Sequence, residues 1–198
     1  MVNSIQMDQT DEQLISEYFS GDEKSLEILI KRYLKPIYNF IFHLTNDPQA
    51  TDDISQETFF KVWKSLKKYR MGESFKAWVY RIAHNSAIDY LRKRKNVPLS
   101  VFEDEEGENL FENNITDTKE LPDEYAIRVE DKKILDEAIK EISPKYREIL
   151  ILHYHEGLTF DEIGKIVNSP LNTVKSSHRR AVFSLRKILE ISSKSNKN

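Results

Sequence analysis

Cysteine is absent from the 198 residues, which excludes disulfides and thiolate metal sites. Glycine and proline are scarce, five and six, too few for the many tight turns of an all-β fold. No apolar run approaches the roughly 18 residues needed to cross a bilayer, so membrane insertion is not expected. The first residues, MVNSIQMDQTDEQ, lack the basic and apolar regions of a signal peptide. A soluble, cytoplasmic protein is expected. Its length suits one medium domain or two small ones.

What is present is charge, and it is segregated. The net charge of −3 alone would speak against a nucleic-acid partner. Yet residues 61–95 carry eleven Lys and Arg against two acids, residues 96–131 carry twelve acids against two bases, and residues 165–189 carry six bases and no acid. Two basic blocks flank an acidic one, and that pattern says more than the sum.

The first basic block contains the stretch FKAWVYRIAHNSAIDYLRKRK, residues 75–95. At helical spacing Phe75, Val79, Ile82, Ala83, Ala87, Tyr90 and Leu91 form an apolar stripe. Lys76, Tyr80, Arg81, His84, Asn85 and Arg92 fall on the other face. A basic face with aromatics and amides suits phosphates and unstacked bases, but equally a solvated surface helix. Taken alone, the stretch leaves both open.

Three more helices precede it. Leu14, Ile15, Tyr18 and Phe19 mark a short one ending near Gly21. Asp22 is placed to cap a second, whose stripe runs from Leu26 to Leu44 across Pro36, a candidate kink. Asn46-Asp-Pro48 is a turn, and Ile54, Thr58, Val62, Leu66 and Tyr69 give the third helix its inner face. Residues 96–128 show no sustained period and little to bury, so they are expected to be an acidic linker. The competing reading is a partly ordered loop packed on the first domain. As a Gaussian chain such a linker spans roughly 30 Å, and about 110 Å when extended.

A second domain follows from Val129. Ile134, Leu135, Ala138, Ile139 and Ile142 give one helix, and Tyr146, Ile149, Leu150, Leu152 and His153 a second, stopped by Gly157. Thr159-Phe-Asp-Glu162 is a capping box opening a short helix with Ile163, Ile166 and Val167 inward. Asn168 turns the chain, and Ser169-Pro170 start a basic helix with Val174, Ala181, Leu185 and Ile188 inward. Helix, tight turn and acid-free basic helix is a helix-turn-helix layout, whose second helix enters the major groove. Such pairs also serve structural roles.

Taken together, DDISQETFFKVWKSLKKYR at 52–70, SFKAWVYRIAHNSAIDYLRKRK at 74–95 and EGLTFDEIGKIVNSPLNTVKSSHRRAVFSLRK at 156–187 resemble the bacterial sigma factors of the extracytoplasmic-function (ECF) group. The resemblance implies an all-α chain of two small domains. These are a four-helix region 2-like unit at 8–95 and a helix-turn-helix region 4-like unit at 129–190, joined by the acidic linker. It implies a sigma factor that binds core RNA polymerase and directs initiation at particular promoters, recognising and melting their DNA. Asp52, Asp53, Gln56, Glu57 and Phe60 would dock on polymerase. Phe75, Lys76, Trp78, Tyr80, Arg81, Asn85 and Arg92 would serve the minus-ten element, with a flipped base received beside Met71–Phe75. Trp78 suits either the core or a base. Thr173, Lys175, Ser176, Arg179 and Arg180 would read the minus-thirty-five element. Asn172, Ser177 and His178 depart from the family's usual residues there. The acidic linker would mimic RNA in the polymerase channel, and an anti-sigma factor is a common partner in the family.

Nothing calls for a cofactor or a metal, and no enzymatic constellation emerges. His153 and His155, two apart on a helix, point about 200° away from each other and cannot readily share an ion. A DNA-binding regulator that acts without polymerase is the nearer rival. The segment 52–63 separates the two, because such a regulator has no use for a polymerase-docking helix.

Overall fold

The computed structural model describes residues 9–95, residue 135 and residues 137–195, and contains no strand among them. The acidic linker lies outside the described residues.

Helix α1, Asp11–Phe19, opens with a reciprocal capping box. The Thr10 hydroxyl accepts from the Gln13 amide at 3.2 Å, and the Gln13 side chain accepts from the Thr10 amide at 2.8 Å. Leu14 and Ile15 are fully buried, but Phe19, expected inward, is 49% exposed because α1 ends there. Helix α2, Glu23–Thr45, is capped by the Asp22 carboxylate on the Lys24 amide, as the sequence suggested. Its stripe from Leu26 to Leu44 is buried, and Pro36 sits within it without ending the helix.

Asn46 closes α2 in the left-handed conformation, φ 50°, and Asp47 at once caps α3, Pro48–Ser65. A 3-10 turn, Leu66–Lys68, follows, and α4 spans Phe75–Lys95. The Ser74 hydroxyl accepts from the Ala77 amide at 3.2 Å at its start. Tyr33, Tyr69, Phe75 and Trp78 pack edge and tilt at 5.3–5.6 Å and fasten the beginning of α4 to α2 and the 3-10 turn.

In the second half residues 137–141 are helical, followed by α5, Pro144–Leu150, and a wide π-helical turn, Ile151–His155. Helix α6, Phe160–Val167, carries the expected capping box, with Glu162 accepting from the Thr159 amide at 2.9 Å. Asn168 is left-handed, φ 52°, and α7 runs Leu171–Ser195. Gly164 allows the tight turn. A Cβ there would stand 2.8 Å from the Ser169 carbonyl oxygen.

The two halves are in contact. Helix α4 packs on α6, and one apolar cluster joins α4 residues such as Val79 and Ala83 to Leu152, Leu158, Ile163 and Ile166. Arg147 reinforces the seam by donating to His43 O on α2 at 3.1 Å and to Ile139 O at 2.9 Å on its own side.

Candidate nucleic-acid interface

Helix α3 brings the first candidate set onto one face. Thr51, Ile54, Ser55 and Thr58 turn inward, which leaves Asp52, Asp53, Gln56, Glu57 and Phe60 exposed together. Glu57 pairs with Lys61 at 2.7 Å. Sequence reasoning missed Trp63. It is 52% exposed beside the 56%-exposed Phe60, with ring centroids 6.0 Å apart and the Lys64 ammonium over the Phe60 ring. The signal was available, since 56, 60 and 63 follow helical spacing. Two large exposed aromatics side by side on an otherwise polar face are the anchor type found at protein interfaces.

Helix α4 divides the second set. Arg81, Asn85 and Arg92 are exposed along one line, with Arg92 3.7 Å from Asp89. Phe75 is buried within the aromatic cluster and Trp78 is half-buried against Tyr69 and Phe75. Tyr80, expected on the open face, is fully buried, because its ring packs on Phe40 at 5.2 Å and the second half covers it. Phe75 and Tyr80 therefore offer no surface to DNA in this arrangement. The loop before α4 is open, with Met71, Gly72, Glu73 and Ser74 exposed. It is tethered, since the Gly72 amide donates to Glu12 at 2.8 Å and the Tyr69 hydroxyl donates to the Glu73 carbonyl.

Lys76 and His84, one and three helical turns from the tethered loop, face the second half rather than solvent. The Lys76 ammonium lies 3.1 Å from the Glu156 carboxylate and donates to the Glu156 carbonyl at 2.5 Å. His84 Nδ1 stands 2.5 Å from Glu148 Oε1, both side chains nearly inaccessible. Burial alone would push the His84 imidazole down. The Glu148 charge and hydrogen bond outweigh it, so its pKa is raised. For Glu156, burial works upward, but the neighbouring Tyr80 hydroxyl, His155 and Lys76 prevail and hold the carboxyl below its usual range.

Helix α7 presents the third set. Lys175, Ser176, Arg179 and Arg180 are exposed and Thr173 half-buried, while Val174 and Ala181 are buried beneath. Of the three departures from the family pattern, Asn172 is exposed, and Ser177 and His178 face inward or pack against neighbours. Ser177 is 1% exposed and occupies an inward position of α7. His178 packs against His153, Tyr154 and Phe160 with centroids 4.9–5.5 Å away. Burial and the neighbouring His153 push its pKa down to about 4, so it is neutral at physiological pH.

The sequence matches "Sigma-70 region 2" over residues 29–97 and "Sigma-70, region 4" over residues 132–185, in that order. The chain belongs to the ECF group of bacterial sigma factors. It is similar to the ECF RNA polymerase sigma factor SigW of Bacillus subtilis, 29% identical over 179 residues that cover 88% of this chain and 94% of that one. It is equally similar to the RNA polymerase sigma-H factor of Pseudomonas aeruginosa, 29% identical over 181 residues and covering 91% and 94% of the two chains. The fold is that of the sigma factor RpoE in complex with the anti-sigma factor NepR from Bartonella quintana, with TM-score 0.63, 23% identity, and 85% and 98% of the two chains covered. As a sigma factor the protein is no enzyme. It binds core RNA polymerase and directs promoter-specific transcription initiation. No helix among the described residues is long and apolar enough to cross a membrane.

Proposed function

We propose that this sigma factor divides initiation among three surfaces. The region 2-like domain, 8–95, docks on polymerase through Asp52, Asp53, Gln56, Glu57 and Phe60, with Trp63 added. The same domain recognises and melts the minus-ten element through Lys76, Arg81, Asn85 and Arg92, with a flipped base received at Met71–Ser74. Phe75, Trp78 and Tyr80 act there as the packed support of the surface rather than its outermost contacts. The region 4-like domain, 129–190, reads the minus-thirty-five element through Thr173, Lys175, Ser176, Arg179 and Arg180. The acidic segment 96–128 joins the two and enters the RNA channel of polymerase. All of this takes place in the cytoplasm, where the polymerase is.

The observation that carries the division is the exposure pattern. An acidic face with two bare aromatics suits a protein partner, while two separate basic faces suit two stretches of DNA. Duplex melting needs groups that hold an unpaired base, and the exposed Asn85 amide beside Arg81 supplies hydrogen bonds and stacking. An anti-sigma factor is a further partner, in keeping with the complex of the RpoE neighbour.

Run-off transcription with core polymerase on a library of promoter fragments tests the reading. Specific transcripts should appear only when the protein is added, and should be lost with Phe60→Ala. Asn85→Ala should bind the closed promoter normally yet open it poorly. Normal opening on duplex templates by that variant would remove Asn85 from the melting role.

A further inference from the structure

The seam between the halves joins opposite charges. From α4 come Lys76 and His84. From the second half come Glu148 on α5 and Glu156 after the π-helical turn, both under 9% exposed. A third carboxylate, Glu162 on α6, lies beside the Ser74 hydroxyl at the start of α4. Buried carboxylates here lie opposite cationic groups of the face on which DNA phosphates would rest. Burying charges in this way is costly unless each is matched, and across the seam His84 meets Glu148 while Lys76 meets Glu156.

We propose that the region 4-like half is a proton-dependent cover over one flank of α4 in the polymerase-free protein, fastened by Glu148 on His84 and by Glu156 on Lys76. The assignment of that flank to DNA rests on the function proposed above, but the closure itself does not.

The sign follows from the His84–Glu148 geometry. The closed form favours protonated His84, whose pKa is raised there above the ordinary 6.5. Closure is therefore fully supported below about pH 6.5 and weakens as pH rises through the raised value, because an uncharged imidazole leaves the Glu148 carboxylate buried without a counter-charge. The other groups around His84 do not share that behaviour. On its own helix Tyr80 stays protonated, since burial and Glu156 push its pKa up. From α3, Lys61 is occupied with Glu57 at 2.7 Å and Ser86 at 3.0 Å. From α2, the His43 carbonyl takes the neighbouring Arg147. Further along the seam, His155 sits 2.8 Å from Glu156, but its side chain is open to solvent and belongs to the same half as that carboxylate.

The absence of native cysteine allows a direct test in the full chain. Lys35 and Lys187, both exposed and on opposite halves, are replaced by Cys and spin-labelled, and the distance distribution is measured at pH 6.0 and 8.5 without DNA or polymerase. A single short distance should dominate at pH 6.0, and the closed-to-open ratio should fall several-fold at pH 8.5. Each unit by which closure raises the pKa contributes up to tenfold. His84→Gln in the same background should abolish most of that response, whereas His155→Gln should leave it. Glu148→Gln, which approaches the pair from the other side, should match His84→Gln, and it decides the matter if that variant folds poorly. A distance distribution indifferent to pH, or a response that survives both His84→Gln and Glu148→Gln, overturns the proposal. Loss of promoter-specific transcription by Arg180→Ala is read separately, so failure of the DNA assignment and failure of the cover are told apart.

Discussion

Replacing Gly164 by Ala sets two effects of known size against each other. In a helix interior alanine is favoured over glycine by about 1 kcal/mol, so an unobstructed site would be stabilised. Here the new Cβ would meet the Ser169 carbonyl oxygen at 2.8 Å, with Val174 Cγ2 behind it at 3.8 Å. The obstacle is backbone, and it is pinned, because the Ser169 amide donates to the Gly164 carbonyl at 2.9 Å. Relief requires α7 to slide away from α6 by several tenths of an ångström, stretching that bond and opening the contact at Val174. Overpacking of this kind costs typically about 1–3 kcal/mol. Sterics therefore win by about 1 kcal/mol, and the substitution should lower the melting temperature by about 2–4 °C, read by far-UV circular dichroism. Promoter-selective transcription should fall further than stability does, because the shift re-aims Arg179 and Arg180 while leaving α4 untouched. A variant that melts at or above the parent temperature would refute the argument, showing that the turn has slack and that propensity governs.

The other expectations concern separate surfaces. Phe60→Ala and Trp63→Ala should each weaken binding to core polymerase by at least about tenfold, as buried aromatic anchors do, with unchanged helicity since both side chains are more than half exposed; affinity within twofold of the parent by fluorescence anisotropy would remove them from the interface. Arg180→Ala should lower use of some promoters selectively, while Lys175→Ala should weaken binding evenly and flatten its salt dependence; equal loss on every promoter for both would undo the division into base and phosphate contacts. Leu152→Ala removes a fully buried side chain from the shared cluster and should cost about 2–5 kcal/mol in urea unfolding. Glu156, held below the usual carboxylate range in the folded chain, adds stability above its ordinary pKa of 4.5 that is lost as pH falls through its depressed value; Glu156→Gln should therefore flatten the acid limb of a stability–pH curve, and an unaltered limb would assign that loss elsewhere.

Much of the fold could be read from residue spacing because local rules and tertiary packing agree. Asp22 and Thr159 with Glu162 cap where the sequence put them, fixed by bonds within four residues, and the stripes of α2 and α6 are buried where their spacing placed them. The helical face of Asp52 to Phe60 was legible for the same reason. Tyr80 was not. Its exposure depends on Phe40 across the domain and on a second half that arrives more than sixty residues later, and a helical wheel carries neither. The wide turn at Ile151–His155 was hidden similarly, because a π-helical turn leaves the apolar period nearly intact. His178 could be marked as unusual from the sequence, but its neutral state needed the rings of His153, Tyr154 and Phe160 around it.

The segregated charge takes on a second meaning in the folded chain. The sequence places its great acidic block between two basic ones, and the natural inference is that acid and base are kept apart. Yet Glu148, Glu156 and Glu162 lie outside that block, in the domain that also carries the basic helix α7, and they face α4. The second domain is therefore two-sided, with Arg179 and Arg180 exposed on α7 and carboxylates turned toward the first domain. Such an arrangement binds itself when nothing else is present, since the buried Glu148 and Glu156 must each be matched by a cation once they leave water. Polymerase and promoter DNA then have to replace those matches, phosphate for Glu156 at Lys76 and solvent for Glu148. The cost of opening is greatest where His84 is charged, so the same pair that stabilises the closed chain makes its release depend on a proton.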